Sequence, residues 1–112
     1  MITLIKDVNT TGTSEGKTIV RGDDTGQTEH SFQIVTNGSP TDVIIYIEGS
    51  INGTIFTQLA RHQMNSDEIT NGSAIFHLIN KTVPVIRVNV VRLDGGLSPT
   101  ISVYYFKGSV ST

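Results

Sequence analysis

Cysteine is absent, and with it any disulfide framework or thiolate metal site. Tryptophan is absent too, and tyrosine occurs only three times, which removes most of the aromatic platforms on which sugar rings stack. Charge is scarce: Asp, Glu, Lys and Arg make up 16% of the residues, the net charge is -2, and the eight basic residues are scattered. Without a Lys/Arg cluster to neutralise phosphates, nucleic acid and anionic membrane are poor partners. Long apolar runs are missing as well. Nothing approaches the roughly 20 apolar residues of a transmembrane helix. The opening MITLIKDVNTTG, interrupted by Thr3, is too short for the apolar core of a secretion signal, so a cytoplasm is the expected place of synthesis.

What is present suits a folded β domain. At 112 residues and 37% hydrophobic, the chain can withdraw roughly two-thirds of its unfolded surface from water in one domain without staples. Its polar residues are mainly Thr, Ser, Asn and Gly, which favour turns and strand surfaces over helices. Period-two alternation dominates. VIRVNVVRL sets Ile86, Val88 and Val90 on one face and Arg87 and Asn89 on the other. TISVYYF separates Ile101, Val103 and Tyr105 from Ser102 and Tyr104, and HSFQIVT separates Phe32 and Ile34 from Ser31 and Gln33. DVIIYIEG has Val43, Ile45 and Ile47 on one side and Ile44, Tyr46 and Glu48 on the other, so both of its faces could be covered. Only FTQLARHQM resembles a helix, and it is short and poorly capped. Asn37-Gly38, Asn52-Gly53, Asn71-Gly72 and Asp94-Gly95-Gly96 fall between apolar runs, where hairpin turns would use their tolerance of positive φ.

These signals predict an all-β fold: a single antiparallel β-sandwich, Ig-like or jelly-roll-like, of about seven or eight strands over residues 28–108. Asn52-Gly53 reads as the hairpin between Val43–Gly49 and Ile55–Leu59. Residues 1–27 read as an extended N-terminal arm with one short strand, Lys17 to Arg21. The stretch from Asn9 to His30 holds four glycines and many threonines but only Ile19-Val20 as an apolar pair. Such an arm needs a neighbour to order it. Residues 109–112 read as a flexible tail.

Catalytic signals are weak. His30, His62 and His77 lack metal-ligand spacing, and His77 falls on the outer face of its strand. Asp23-Asp24 and Asp67-Glu68 are adjacent pairs whose side chains diverge on an extended chain, so both read as surface loops; calcium held at Asp23-Asp24 with loop carbonyls is the alternative. No Ser/His/Asp signature or phosphate-cradling glycine loop stands out. Arg21-Gly22-Asp23 reproduces an integrin-recognition tripeptide and is read as chance. The Asn-Gly-Ser/Thr triplets at Asn37, Asn52 and Asn71 are read as turn chemistry, not as glycan acceptors. The expectation is a protein without enzymatic activity, cofactor or metal. Carbohydrate binding stays open, with outward Tyr46 or Tyr104 as the stacking surface.

VIIYIEGSINGTIFTQLARH, followed by AIFHLINKTVPVIRVNVVRLDGGLSPTISVYYFKG, resembles small β-sandwich virion proteins of tailed bacteriophages. The matching positions are Glu48-Gly49-Ser50, Asn52-Gly53, Phe56, Leu59, Pro84, Ile86-Arg87-Val88, Val90 and Gly95-Gly96 before Ser98-Pro99-Thr100, within residues 28 to 108. A similar turn element recurs in discoidin-like binding domains, which are longer and richer in Trp. The resemblance implies a capsid decoration protein made in the host cytoplasm and resident in the virion. It would contact the major capsid protein and neighbouring copies of itself, a homotrimer being one arrangement. A carbohydrate-binding or structural module of a tail, baseplate or fibre is the alternative. In this picture the arm residues Ile2, Leu4, Ile5, Ile19 and Val20 dock on the capsid, and Arg87 and Tyr104 are lesser surface contacts.

Overall fold

First strand pairs with last, second with second-last, and so inward to a central hairpin. The computed structural model describes residues 1–19, 27–79 and 83–110. They form β1 (Ile2–Val8), β2 (Gly12–Thr13), β3 (Lys17–Thr18), β4 (Gln27–Asn37), β5 (Asp42–Ser50), β6 (Thr57–Gln63), α1 (Ser66–Asn71), β7 (Ser73–Ile79), β8 (Val85–Asp94) and β9 (Thr100–Val110). The ladders β1·β9, β2·β8, β3·β8, β4·β7 and β5·β6 are all antiparallel and nest inside one another. Rolling this nested ribbon adds β4·β9 and β5·β8, which yields two facing sheets ordered β1-β9-β4-β7 and β2-β8-β5-β6. β2 and β3 share one position along β8, with Ser14 bridging them by bonds to Val88, so the strands fill eight places. This is the connectivity of a jelly roll; in an Ig sandwich the first strand pairs with the second.

The alternation read from the sequence sets the core. Phe32, Ile34, Val43, Ile45, Ile47, Ile86, Val88, Val90, Ile101, Val103 and Tyr105 all point between the sheets and are buried. On β5 the other face is partly covered, with Ile44 buried and Tyr46 and Glu48 half-buried. At one end of this core, the fully buried His30 meets Tyr105, with Nδ1 2.6 Å from the phenol oxygen. Burial pushes the Tyr105 hydroxyl well above its ordinary value of 10, so it stays protonated in its hydrogen bond with Nδ1. Rings then connect the layers: Phe32 packs on both Tyr105 and Phe76, and Phe76 stacks on His62 of the opposite sheet, 4.6 Å between centroids.

Of the four glycine turn signals, Asn52-Gly53 alone joins two strands of one sheet as a hairpin. Gly38 and Ser39 carry the chain from β4 in one sheet to β5 in the other, and Gly95 and Gly96 carry it back from β8 to β9. These two corners touch: Leu97 N–H donates to the Gly38 carbonyl at 2.8 Å, and a Cβ on Gly96 would overlap that carbonyl. Positive φ was legible, but whether a turn folds back or crosses over depends on which sheet needs the next strand. Asn71-Gly72 ends a helix. Asn65 caps α1 in a reciprocal pair with Glu68, and Gly72, at φ 73°, closes it in the left-handed conformation. The segment FTQLARHQM is strand β6 over its central residues.

The arm is also corrected. Residues Ile2–Val8 are an edge strand of the first sheet, and Leu4 is a core residue at 5% exposure. Ile2, Ile5 and Ile19 are half-buried against the same core, and Ile19 N–H donates to the Pro84 carbonyl. These side chains are committed to their own domain because β9 and β8 offer open ladder positions that the first nineteen residues fill. Val20, Arg21-Gly22-Asp23 and Asp24 lie outside the described residues. Residues 109 and 110, expected in a tail, belong to β9 opposite Thr28 and Gln27.

Leu4 separates a folded strand from a free arm. Leu4→Ala lowers unfolding free energy by about 3 kcal/mol in chemical denaturation, within the range for a buried leucine. A change below about 0.5 kcal/mol, typical of a surface site, would return residues 2–8 to an arm.

Candidate functional site

The sandwich turns two broad outer faces to solvent, and their chemistry differs. On the first sheet, Ser31 and Gln33 of β4 lie opposite Phe106 and Tyr104 of β9, while β7 places His77 and Ile75 on their other side. With Met1 at the rim, this face encloses a shallow groove of about 180 Å³ floored by Phe32 and Tyr105. Met1, Ile75 and Phe106 are 86%, 60% and 61% exposed, and Ile79 adds a further exposed apolar side chain on β7. Burial of Tyr105 at 1% turns its neighbour Tyr104 outward, so of the adjacent tyrosines Tyr104 lines the groove from the outside.

The second sheet carries an ordered polar network. Cross-strand registers set Glu48 beside Arg87, and Tyr46 between Asn89 and Arg61. Glu48 uses its two oxygens separately: Oε1 accepts from Arg87 Nε at 2.6 Å and Oε2 from Asn89 Nδ2 at 3.2 Å. The guanidinium carbon of Arg87 lies 4.0 Å from the centroid of the Phe56 ring. The cation is thus held by a carboxylate at Nε and by an aromatic ring against its central carbon. Arg61 donates to Gln63, and Arg92 pairs with Asp42 and Asp94 farther along the same sheet. The hydrogen bond from Arg92 holds the Asp42 carboxyl below its ordinary value of 3.8.

The β5–β6 loop joins two neighbouring strands of the second sheet. Asn52 Oδ1 accepts from the Ser50 hydroxyl and from the N–H groups of Thr54 and Ile55, and Ser50 Oγ accepts from Gly53 N–H. The side chain of Asn52 replaces the missing ladder and fixes the loop, which leaves Ile51 and Ile55 exposed at its tip beside a hollow of about 490 Å³.

The three histidines occupy separate settings. His30 is in the core, His62 lies between Glu68 and Phe76, and His77 is on the outer face of the first sheet. His77 has Ser31 Oγ at 2.9 Å and Glu29 Oε1 at 3.3 Å, both measured to Nδ1. An acyl-transfer triad needs the serine and the acid on opposite ring nitrogens, so this exposed trio does not form one. Among the described residues, no three His, Asp or Glu side chains converge as metal ligands would. No described helix is long and apolar enough to cross a membrane.

Arg87 and Tyr104, singled out together in the sequence, stand on opposite faces of the molecule. Phe106 shares the parity of Tyr104 and was legible as its outward neighbour. The Phe56–Arg87 contact was not, since it depends on the β5·β8 register and the path of a loop. No protein family, no curated protein and no solved structure matches this chain.

In an NMR pH titration the Asp42 carboxyl titrates below 3.8, and Arg92→Gln moves it up towards that value. Because the folded-state value lies below the unfolded one, the pair's stabilisation is present above the unfolded value and is lost as pH falls through the folded value. An Asp42 titration unmoved by Arg92→Gln would break the assignment.

Proposed function

We propose that this chain is a non-enzymatic structural protein of a tailed-phage particle, a decoration protein that binds the assembled capsid surface. The observation that carries this reading is the difference between its two outer faces. One presents the apolar side chains Met1, Ile75, Tyr104 and Phe106 around a shallow groove, and the other is charged and hydrogen-bonded within itself. Exposed contiguous apolar surface on a folded domain marks a site of association. A particle protein of this design docks its apolar face on the major capsid protein and on neighbouring copies of itself, and turns its polar face to solvent.

Three further observations support the reading. The strand and turn residues of 28–108 resemble phage virion proteins. The jelly-roll connectivity is one that viral capsid proteins and lectins share, which permits this role without selecting it. The clustered serine, histidine and acid side chains on the surface lack the geometry of a nucleophilic centre. Docking in this account uses the outward residues of β7 and β9; Ile2, Leu4, Ile5 and Ile19 serve the interior. A module of a tail, baseplate or fibre is the second reading, favoured by the polar network on the opposite face.

Quantitative mass spectrometry of purified particles distinguishes the two. A shell component is present in hundreds of copies, and Ile75→Ser with Phe106→Ser strips it from particles without lowering its own stability. A handful of copies supports the tail module. Absence from particles removes both.

A further inference from the structure

We propose that the outer face of the β2-β8-β5-β6 sheet binds a carboxylate-bearing saccharide, with Arg87 gripping the carboxylate and Tyr46 lying against the sugar ring. The inference is independent of capsid docking, which uses the opposite face.

The way Arg87 is held carries it. Arg–carboxylate pairs are often bidentate, joined by two parallel bonds that use one edge of the guanidinium fork. Here Glu48 engages Nε alone and gives its second oxygen to Asn89. Phe56 lies against the guanidinium, its ring centroid 4.0 Å from the guanidinium carbon. The two Nη groups have no hydrogen-bond partner among the described residues, and no buried side-chain nitrogen or oxygen there lacks one, so both reach solvent. The outcome is a planar fork whose orientation is already fixed and whose outer edge is unused. That edge matches the two oxygens of a carboxylate, and fixing it beforehand lowers the entropy lost on binding.

The neighbours of Arg87 supply contacts of the right kind for a sugar. Tyr46, half-buried at the middle of the face, has Asn89 on one side and Arg61 on the other. Its hydroxyl and the Asn89 Oδ1 are also without protein partners among the described residues. A ring, a phenol, an amide oxygen and a guanidinium on one flat surface can meet a pyranose face, its hydroxyls and its carboxylate. An acidic peptide fits less well. Tyr46 and Glu48 sit on β5, whose two edges are bonded to β8 and β6, so a peptide cannot add as a strand beside these two residues.

The test is a glycan array holding uronate- and sialate-terminated oligosaccharides beside their carboxyl-reduced counterparts, with inorganic phosphate as competitor. Acidic glycans bind and the reduced ones do not. Arg87→Lys, which keeps the charge and loses the fork, weakens binding at least tenfold, as does Tyr46→Ala, with thermal unfolding of each variant recorded as a check on folding. Ile75→Ser with Phe106→Ser leaves the signal unchanged, so failure of capsid docking and failure of this site are separable. Three outcomes overturn the proposal: no acidic glycan bound, equal binding of the reduced glycans, or binding by a folded Arg87→Lys protein at the original strength. Complete displacement of the acidic glycans by millimolar phosphate assigns the fork to a free anion and is a fourth such outcome.

Discussion

Everything in this molecule depends on ladders that join residues far apart in the chain. Ile2 pairs with Tyr105 and Lys17 with Ile86, while Ile34 is paired with both Ala74 and Val103. Each such contact must close a long loop before it returns any stabilisation, so the early and late segments are folded only when both are present. The inward side chains supply the return. Phe32, Ile34, Ile45, Val88 and Val103 exclude water between the sheets, and His30 satisfies the one phenol buried among them. With the interior spoken for, function is left to the two outer faces.

Those faces follow from the same alternation that makes the core. A strand that buries every second residue displays the intervening ones in rows, and neighbouring strands align the rows by register. On β4, β7 and β9 the displayed residues include Ile75, Tyr104 and Phe106, which water solvates poorly. On β5, β6 and β8 they include Tyr46, Glu48, Arg61, Arg87 and Asn89, of which Glu48 bonds to both Arg87 and Asn89. One scaffold therefore offers an apolar surface suited to protein association and a polar surface suited to a small hydrophilic ligand. They lie on opposite sides, so both can be occupied at once.

Much of this was legible in the sequence where period two was uninterrupted. The inward sets of β4, β5, β8 and β9 could be read residue by residue, as could the outward orientation of Tyr104 relative to Tyr105. Legibility failed where the cause was not local. Residues 2–8 carry Ile2, Leu4, Ile5 and Val8 without a clean period of two, and only the open edge of β9 makes them a strand. Gly38 and Gly96 announce positive φ without saying that the chain changes sheets there. The helix α1 did carry a local signal, Asn65 three residues before Glu68 with Gly72 beyond, and the adjacent acids masked it as a loop. The Arg87 site needed three segments to converge, and only its Arg87–Glu48 charges were individually suggestive.

The central claim is that association and ligand binding are divided between opposite faces of one rigid jelly roll. Hydroxyl-radical footprinting of the chain, free and on particles, tests it most directly. The account predicts that oxidation of Met1, Tyr104 and Phe106 falls sharply on particles while Tyr46 and Phe56 keep their reactivity. Protection of Tyr46 and Phe56 with Met1, Tyr104 and Phe106 unchanged would contradict it.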